Sequence, residues 1–222
     1  MNILDKNKNI NERNINGFIV LFAMFIGSAA IAGLHGAKLL GIGGLVFDAG
    51  LLTFAVTFLC TDIVSEVYGK LYAKRLIVGG FIAIIVGLIF THLALSLPAA
   101  ADWELANEYN AIFGAGARVS FALLTTYITS QLTDIAIFAW LRKKTGVKHL
   151  WLRNNGSTMI AGFVDAVVFT TVAFLGVYEI WPIILSAYFA RIIISLIDTP
   201  FVYLGRYILY RIYPELKEDR GE

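Results

Sequence analysis

The chain has 222 residues, with 18 Lys and Arg against 16 Asp and Glu, and 58% of it is hydrophobic. Its charged fraction is 15%, where a soluble domain carries about 25%, so composition excludes an ordinary soluble domain and makes lipid the expected solvent. A net charge of +2 argues against a nucleic-acid partner, and a lone Cys60 excludes a disulfide-stapled module.

In chain order, residues 14–34 run 21 positions without a charge, enough for one crossing at about 20 residues. A second apolar block covers about 43–61 and is broken by Asp48. The third, 76–101, contains only His92 as a titratable group, and Pro98 is expected to end its helix. A polar stretch with Asp102, Glu104 and Glu108 follows. The fourth block, about 118–141, contains Asp134; the fifth, about 157–178, contains Asp165; the sixth, about 182–205, contains Arg191 and Asp198. The prediction is an all-α bundle of six transmembrane helices in one domain over 1–222, with a short polar segment 1–14 and a charged tail 206–222.

The basic residues fix an orientation, because Lys and Arg concentrate in cytoplasmic loops. Lys6, Lys8 and Arg13 precede the first span, and Lys70, Lys74 and Arg75 follow the second. Arg142, Lys143, Lys144, Lys148 and Arg153 lie between the fourth and fifth, and Arg206, Arg211, Lys217 and Arg220 follow the sixth. Only Lys38 falls in an opposite loop, with Arg118 and Arg191 inside spans. Both termini are therefore expected in the cytoplasm. A cleaved signal peptide is the competing reading of the first span, from its basic front and Ala30-Ile31-Ala32, but the charge alternation fits all six spans.

Charged groups inside spans cost about 2.5–3.5 kcal/mol each on insertion scales, so they face the bundle interior and are functional candidates. Asp48, Leu52, Ala55, Leu59, Asp62 and Glu66 advance by fours and threes, one stripe of a helix. Tyr127, Ser130, Gln131, Asp134 and Phe138 share a face of the fourth span. Asn154, Thr158, Gly162 and Asp165 do so on the fifth, and Tyr188, Arg191, Ser195 and Asp198 on the sixth. The plainer reading is that these groups pair across helices and hold the bundle. Arg191 fits it best, needing a carboxylate such as Asp165 or Asp134, while Glu66 near a helix end could instead reach the interface. A faint echo links Thr57-x-x-x-Thr61-Asp62-Ile63 to Thr129-x-x-x-Thr133-Asp134-Ile135, consistent with a duplicated hairpin. No phosphate-binding G-x-x-x-x-G-K-[ST] loop, H-E-x-x-H pair, nucleophile elbow or metal-spaced Cys/His cluster occurs. The pattern is that of a small solute carrier, with a membrane-embedded enzyme as the second class.

Three segments carry a family likeness. They are Thr61-Asp62-Ile63-Val64-Ser65-Glu66-Val67-Tyr68-Gly69-Lys70 with Ala73-Lys74-Arg75; Ser130-Gln131-x-x-Asp134 running to Phe138 and Leu141-Arg142-Lys143-Lys144; and Arg153-Asn154-Asn155-Gly156-Ser157-Thr158 continuing to Asp165 and Phe169. With Arg191 to Pro200 they resemble the queuosine precursor transporter family, small six-helix membrane proteins related in outline to vitamin-uptake carriers. That family's fifth helix often carries a glutamine and more hydroxyls where this chain has Ala161, Gly162 and Ala166.

The resemblance implies a non-enzymatic, multi-pass protein of the prokaryotic (inner) cell membrane that imports a 7-deazaguanine base, such as the 7-cyano or 7-aminomethyl form, or queuine. It implies no cofactor and no metal, and its partners are a nucleobase-like small molecule and membrane lipid. A homodimer and a separate ATP-driven energising module stay open, the latter making the chain a substrate-binding subunit. The implied substrate-binding residues are Asp134, Gln131, Tyr127, Phe138, Asp165, Asn155, Glu66, Asp62 and Arg191. A carboxylate can accept the ring N–H and exocyclic amine of such a base, an amide can meet its carbonyl, and a ring can stack on it; Asp134, Gln131, Tyr127 and Phe138 offer all three on one face.

Overall fold

Helix α1 (Glu12–His35) leads into a hairpin of β1 (Leu39–Ile42) and β2 (Leu45–Asp48). Then come α2 (Gly50–Val67), α3 (Lys70–Ser96), the short α4 (Ala106–Phe113), α5 (Ala117–Thr145), α6 (Leu150–Phe174), α7 (Ile180–Ile212) and a last turn, α8 (Glu215–Glu218). This computed structural model describes residues 12–35, 38–43, 45–114, 117–146, 149–176 and 179–218. Lys6, Lys8, Lys148 and Arg220 lie outside the described residues, as do the side chains of Arg13, Asp48, Arg118 and Lys217. Six helices (α1, α2, α3, α5, α6 and α7) are long and apolar enough to cross a membrane, as the composition required.

The second span begins later than its apolar block. Residues 39–48 form an antiparallel hairpin, with Ile42 opposite Leu45 and Leu39 opposite Asp48, so Asp48 belongs to β2 and not to the stripe of α2. At the other end α2 continues to Val67 and turns at once into α3. Gly69 takes φ 91, a left-handed conformation open to glycine, while the amides of Tyr68 and Gly69 both donate to the Val64 carbonyl at 2.8 Å. Helix α3 stops at Ser96 with Leu97 extended before Pro98, because proline disfavours helical backbone in the residue ahead of it.

Helix α2 is the innermost span, with 67% of its residues buried against 17% in the spanning windows of α1, α3 and α7. The reason lies in its side chains: Thr57, Thr61, Asp62, Ser65 and Glu66 are all buried, and lipid could not solvate them. An apolar core of Phe25, Val64, Leu76, Ile77, Ile135 and Phe138 packs α1, α3 and α5 about it. Val20, Phe90 and Ile197 stay exposed on the outer helices, where lipid replaces water. Gly17 of α1 lies against Tyr68, Leu209 and Tyr213, which brings the start of α1 and the ends of α2 and α7 to one end of the bundle. Burial pushes the Tyr68 phenol above the usual tyrosine range. Exposed Trp140 and Trp151 ring this basic end, and exposed Trp103 and Trp181 ring the end with the hairpin, as aromatic belts do at membrane interfaces.

Candidate functional site

The polar residues of the interior form three tiers from the hairpin end to the basic end. At the hairpin end α1, α2, α3, α5, α6 and α7 enclose a cavity of about 260 Å³. Its walls are largely apolar, including Leu51, Phe54, Leu88 and Phe169, with Thr126 and Tyr127 among them. The charged groups in its lining are Asp165 and Arg191. They form an ion pair between Arg191 Nη2 and Asp165 Oδ2. Gly162, one turn before Asp165, lets the arginine stem cross α6, since a methyl there would stand 3.4 Å from Arg191 Cδ. Tyr127 presents its ring to the cavity, framed by Phe54, Phe81 and Phe25 at centroid distances of 6.2, 6.5 and 6.4 Å. Its hydroxyl is already used, donating to the Ile77 carbonyl at 2.9 Å.

The middle tier holds two carboxyl groups. Asp62 and Asp134 are 1% and 0% exposed, and Thr158 Oγ1 stands 3.3 Å from Asp62 Oδ2 and 3.5 Å from Asp134 Oδ1. Thr61 Oγ1 reaches Asp134 Oδ2 at 3.5 Å. Close by, Gln131 Nε2 donates to Thr57 Oγ1 at 2.8 Å, leaving its carbonyl oxygen without a partner. Asn155 donates to Thr199 Oγ1 at 2.7 Å and to the Trp151 carbonyl at 3.1 Å. The Thr-Asp-Ile echo has a structural counterpart here: α2 and α5 run the same way, and Thr61 and Thr133 make the same bond back to the carbonyl four residues earlier, at 3.1 and 2.7 Å.

The third tier closes the basic end. Glu66 is wholly buried. Its Oε2 accepts from Arg142 Nη1 at 2.6 Å and its Oε1 from Arg153 Nη2 at 2.5 Å, with Arg206 Nε 3.9 Å from Oε1. Arg142 also donates to the Glu66 carbonyl at 2.9 Å, and Arg153 to the Gly146 carbonyl at 2.6 Å. The Phe138 ring lies 5.8 Å from the Arg153 guanidinium.

Of the nine residues singled out from sequence, the cavity lining therefore contains Tyr127, Asp165 and Arg191. Asp62, Asp134, Gln131 and Asn155 occupy the tier behind it, and Phe138 and Glu66 the closed end. Arg191 takes Asp165 and not Asp134. The sequence reading overlooked Arg142 and Arg153 as interior partners, because both lie in a basic loop run and look solvated. It also overlooked Phe54 and Thr126, whose residue types carry no signal in an apolar span. Among the described residues no group of three or more His, Cys, Asp or Glu is placed to hold a metal ion.

Known proteins match this chain across the tiers just described. Residues 48–205 match the family model described as "Putative vitamin uptake transporter". A protein of Bacillus subtilis (strain 168) named "Probable queuosine precursor transporter" is 31% identical over 189 residues, which is 82% of each chain. A protein of Haemophilus influenzae with the same name is 26% identical over 125 residues, 56% of this chain and 51% of that protein. No solved structure matches this chain. With six apolar spans, a cavity on one side and a sealed opposite end, the chain belongs to the vitamin uptake transporter family in which these two queuosine precursor transporters are found.

Proposed function

We propose that the protein imports a 7-deazaguanine base (7-cyano-7-deazaguanine, its 7-aminomethyl form, or queuine) across a prokaryotic cell membrane, with residues 1–222 acting as one transmembrane domain. The observation that carries this reading is the Arg191–Asp165 pair at the edge of an aromatic-walled cavity. A guanine-like base offers a donor edge of ring N–H and exocyclic amine, which one carboxylate accepts through two parallel bonds. It also offers a carbonyl acceptor, which suits the neighbouring guanidinium, and two π-faces for Phe54, Phe169 or Tyr127. Asp165 is the better-placed acceptor, since Asp134 lies outside the cavity lining. At about 260 Å³ the space is at the small end of ligand pockets, which run about 300–1,000 Å³, and suits a fused bicyclic base.

Fifteen of the 18 basic residues lie towards the sealed end in the sequence-based assignment, so the charge rule makes that end cytoplasmic and the cavity external. The conformation is then an outward-facing one. The test is a thermal-shift screen of purified protein against 7-deazaguanines, purines and water-soluble vitamins, followed by uptake into liposomes holding this chain alone. A ligand at 100 times its Kd stabilises by about 2.7 kcal/mol. The reading expects 7-deazaguanines to stabilise and to enter unchanged. Stabilisation by a vitamin and by no deazaguanine would overturn the substrate; uptake only with an added ATP-driven module would overturn autonomous transport.

A further inference from the structure

The Asp62–Asp134 pair has a donor deficit that the recognition chemistry leaves unexplained. The two carboxyl groups, from α2 and α5, lie within hydrogen-bonding reach of one another. Thr158 has one hydroxyl proton and stands almost equally far from both, so it serves one at a time. The Thr61 hydroxyl is closer to the Phe58 carbonyl, at 2.8 Å, than to Asp134, at 3.5 Å. Asp62 Oδ1 has no donor at all, although it is buried. The surrounding cations are engaged elsewhere: Arg142 and Arg153 hold Glu66, and Arg191 holds Asp165. The remaining charged neighbour is Asp198 of α7, a further negative group. One proton placed between the pair satisfies Asp62 Oδ1 and removes one of two like charges.

A route to the pair is also present. A void of about 20 Å³ is lined by Thr158, Arg191, Ser195 and Asp198, room for one water with several polar partners. Arg191 borders both this void and the larger cavity, and Thr158 borders both the void and the pair.

We propose that Asp62 and Asp134 form a proton-binding site, loaded from the solute cavity through the void and Thr158, so that inward solute movement carries a proton with it. A proton arriving on water in the void passes to Thr158 Oγ1 as Thr158 gives its own proton to the free carboxylate oxygen. The hydroxyl is regenerated, and the pair goes from two negative charges to one. The coupling step rests on the chain carrying solute through this cavity; the proton site does not depend on which solute it is.

The decisive experiment needs no solute. Infrared titration of the purified protein should show the carbonyl stretch of a protonated carboxylic acid near neutral pH. The band should disappear in Asp62→Asn and in Asp134→Asn, and persist in Glu108→Gln, whose side chain is exposed. A band that is absent, or that survives both substitutions, overturns the site. Thr158→Val retains both carboxyl groups if either asparagine variant fails to fold; it should slow hydrogen–deuterium exchange of the band at least tenfold, and Thr158→Ser should restore it. Liposomes holding the protein and a luminal pH dye, given 7-cyano-7-deazaguanine, should acidify inside. Uptake without acidification, or uptake that requires sodium, overturns the coupling. No uptake of that base counts against the solute reading alone, because the infrared band still decides the proton site.

Discussion

Arg191 and Asp165 meet because they stand at matching depths on neighbouring antiparallel helices. Asp165 lies nine residues before the end of α6 at Phe174, and Arg191 eleven residues after the start of α7 at Ile180, about 14 and 16 Å at 1.5 Å per residue. Removing the cation alone leaves a carboxylate buried in a low-dielectric site. Arg191→Met is therefore expected to lower stability by about 3–5 kcal/mol, read by thermal unfolding in detergent. Adding Asp165→Asn should recover part of that loss, and adding Asp134→Asn should recover none; equal recovery by both would remove the pairing as the cause. The sequence showed that Arg191 must find a carboxylate but left two candidates. Depth along each helix separates them, yet depth depends on where the helices start, and the apolar blocks misplaced the starts by several residues. Asp134 illustrates the same limit: its stripe was legible, whereas its burial against Asp62 depends on α2 and α5 lying side by side.

Helix ends were the least legible elements because interior polar residues there carry no hydropathy signal. Helices α5 and α6 extend into a run of Arg, Lys and Asn that reads as loop, and Arg153 is buried only because Glu66 arrives from α2. The hairpin was mistaken for the start of a span, since a short run of Leu, Ile, Val and Phe does not distinguish strand from helix. Gly43-Gly44 was the available clue, a dipeptide suited to a two-residue turn, and Gly43 does adopt φ 61. At this scale Glu66 is the joint that holds α5 and α6 to α2. Glu66→Gln removes the charge that two buried or half-buried guanidinium groups share, so the basic end should loosen. A cysteine at Ser65, buried in the native protein, is expected to react with a small thiol reagent at least tenfold faster in the Glu66→Gln background. An unchanged rate would show that other contacts hold that end closed.

For the whole molecule, six spans and the basic end in the cytoplasm make a topological prediction. Cysteines at Glu108 and Glu179 should be modified by impermeant reagents added outside intact cells, and one at Lys144 should not; the reverse pattern would invert the carrier. Cys60 is fully buried, so the native thiol should stay silent in that assay. The count of spans and the sidedness of charge were both legible in composition, because lipid leaves so few solutions for an apolar chain. The cavity was not, since it is the space left by Gly, Ala and Phe residues on six separate helices. Its asymmetry with the sealed end has a kinetic consequence. Solute can arrive at the open end without any group moving, whereas departure at the other requires two short bonds from one carboxylate, to Arg142 and Arg153, to part together. Occupancy then equilibrates many times before each passage, so half-saturation of uptake reports true affinity, and the waiting time between passages is how long Glu66 keeps its grip.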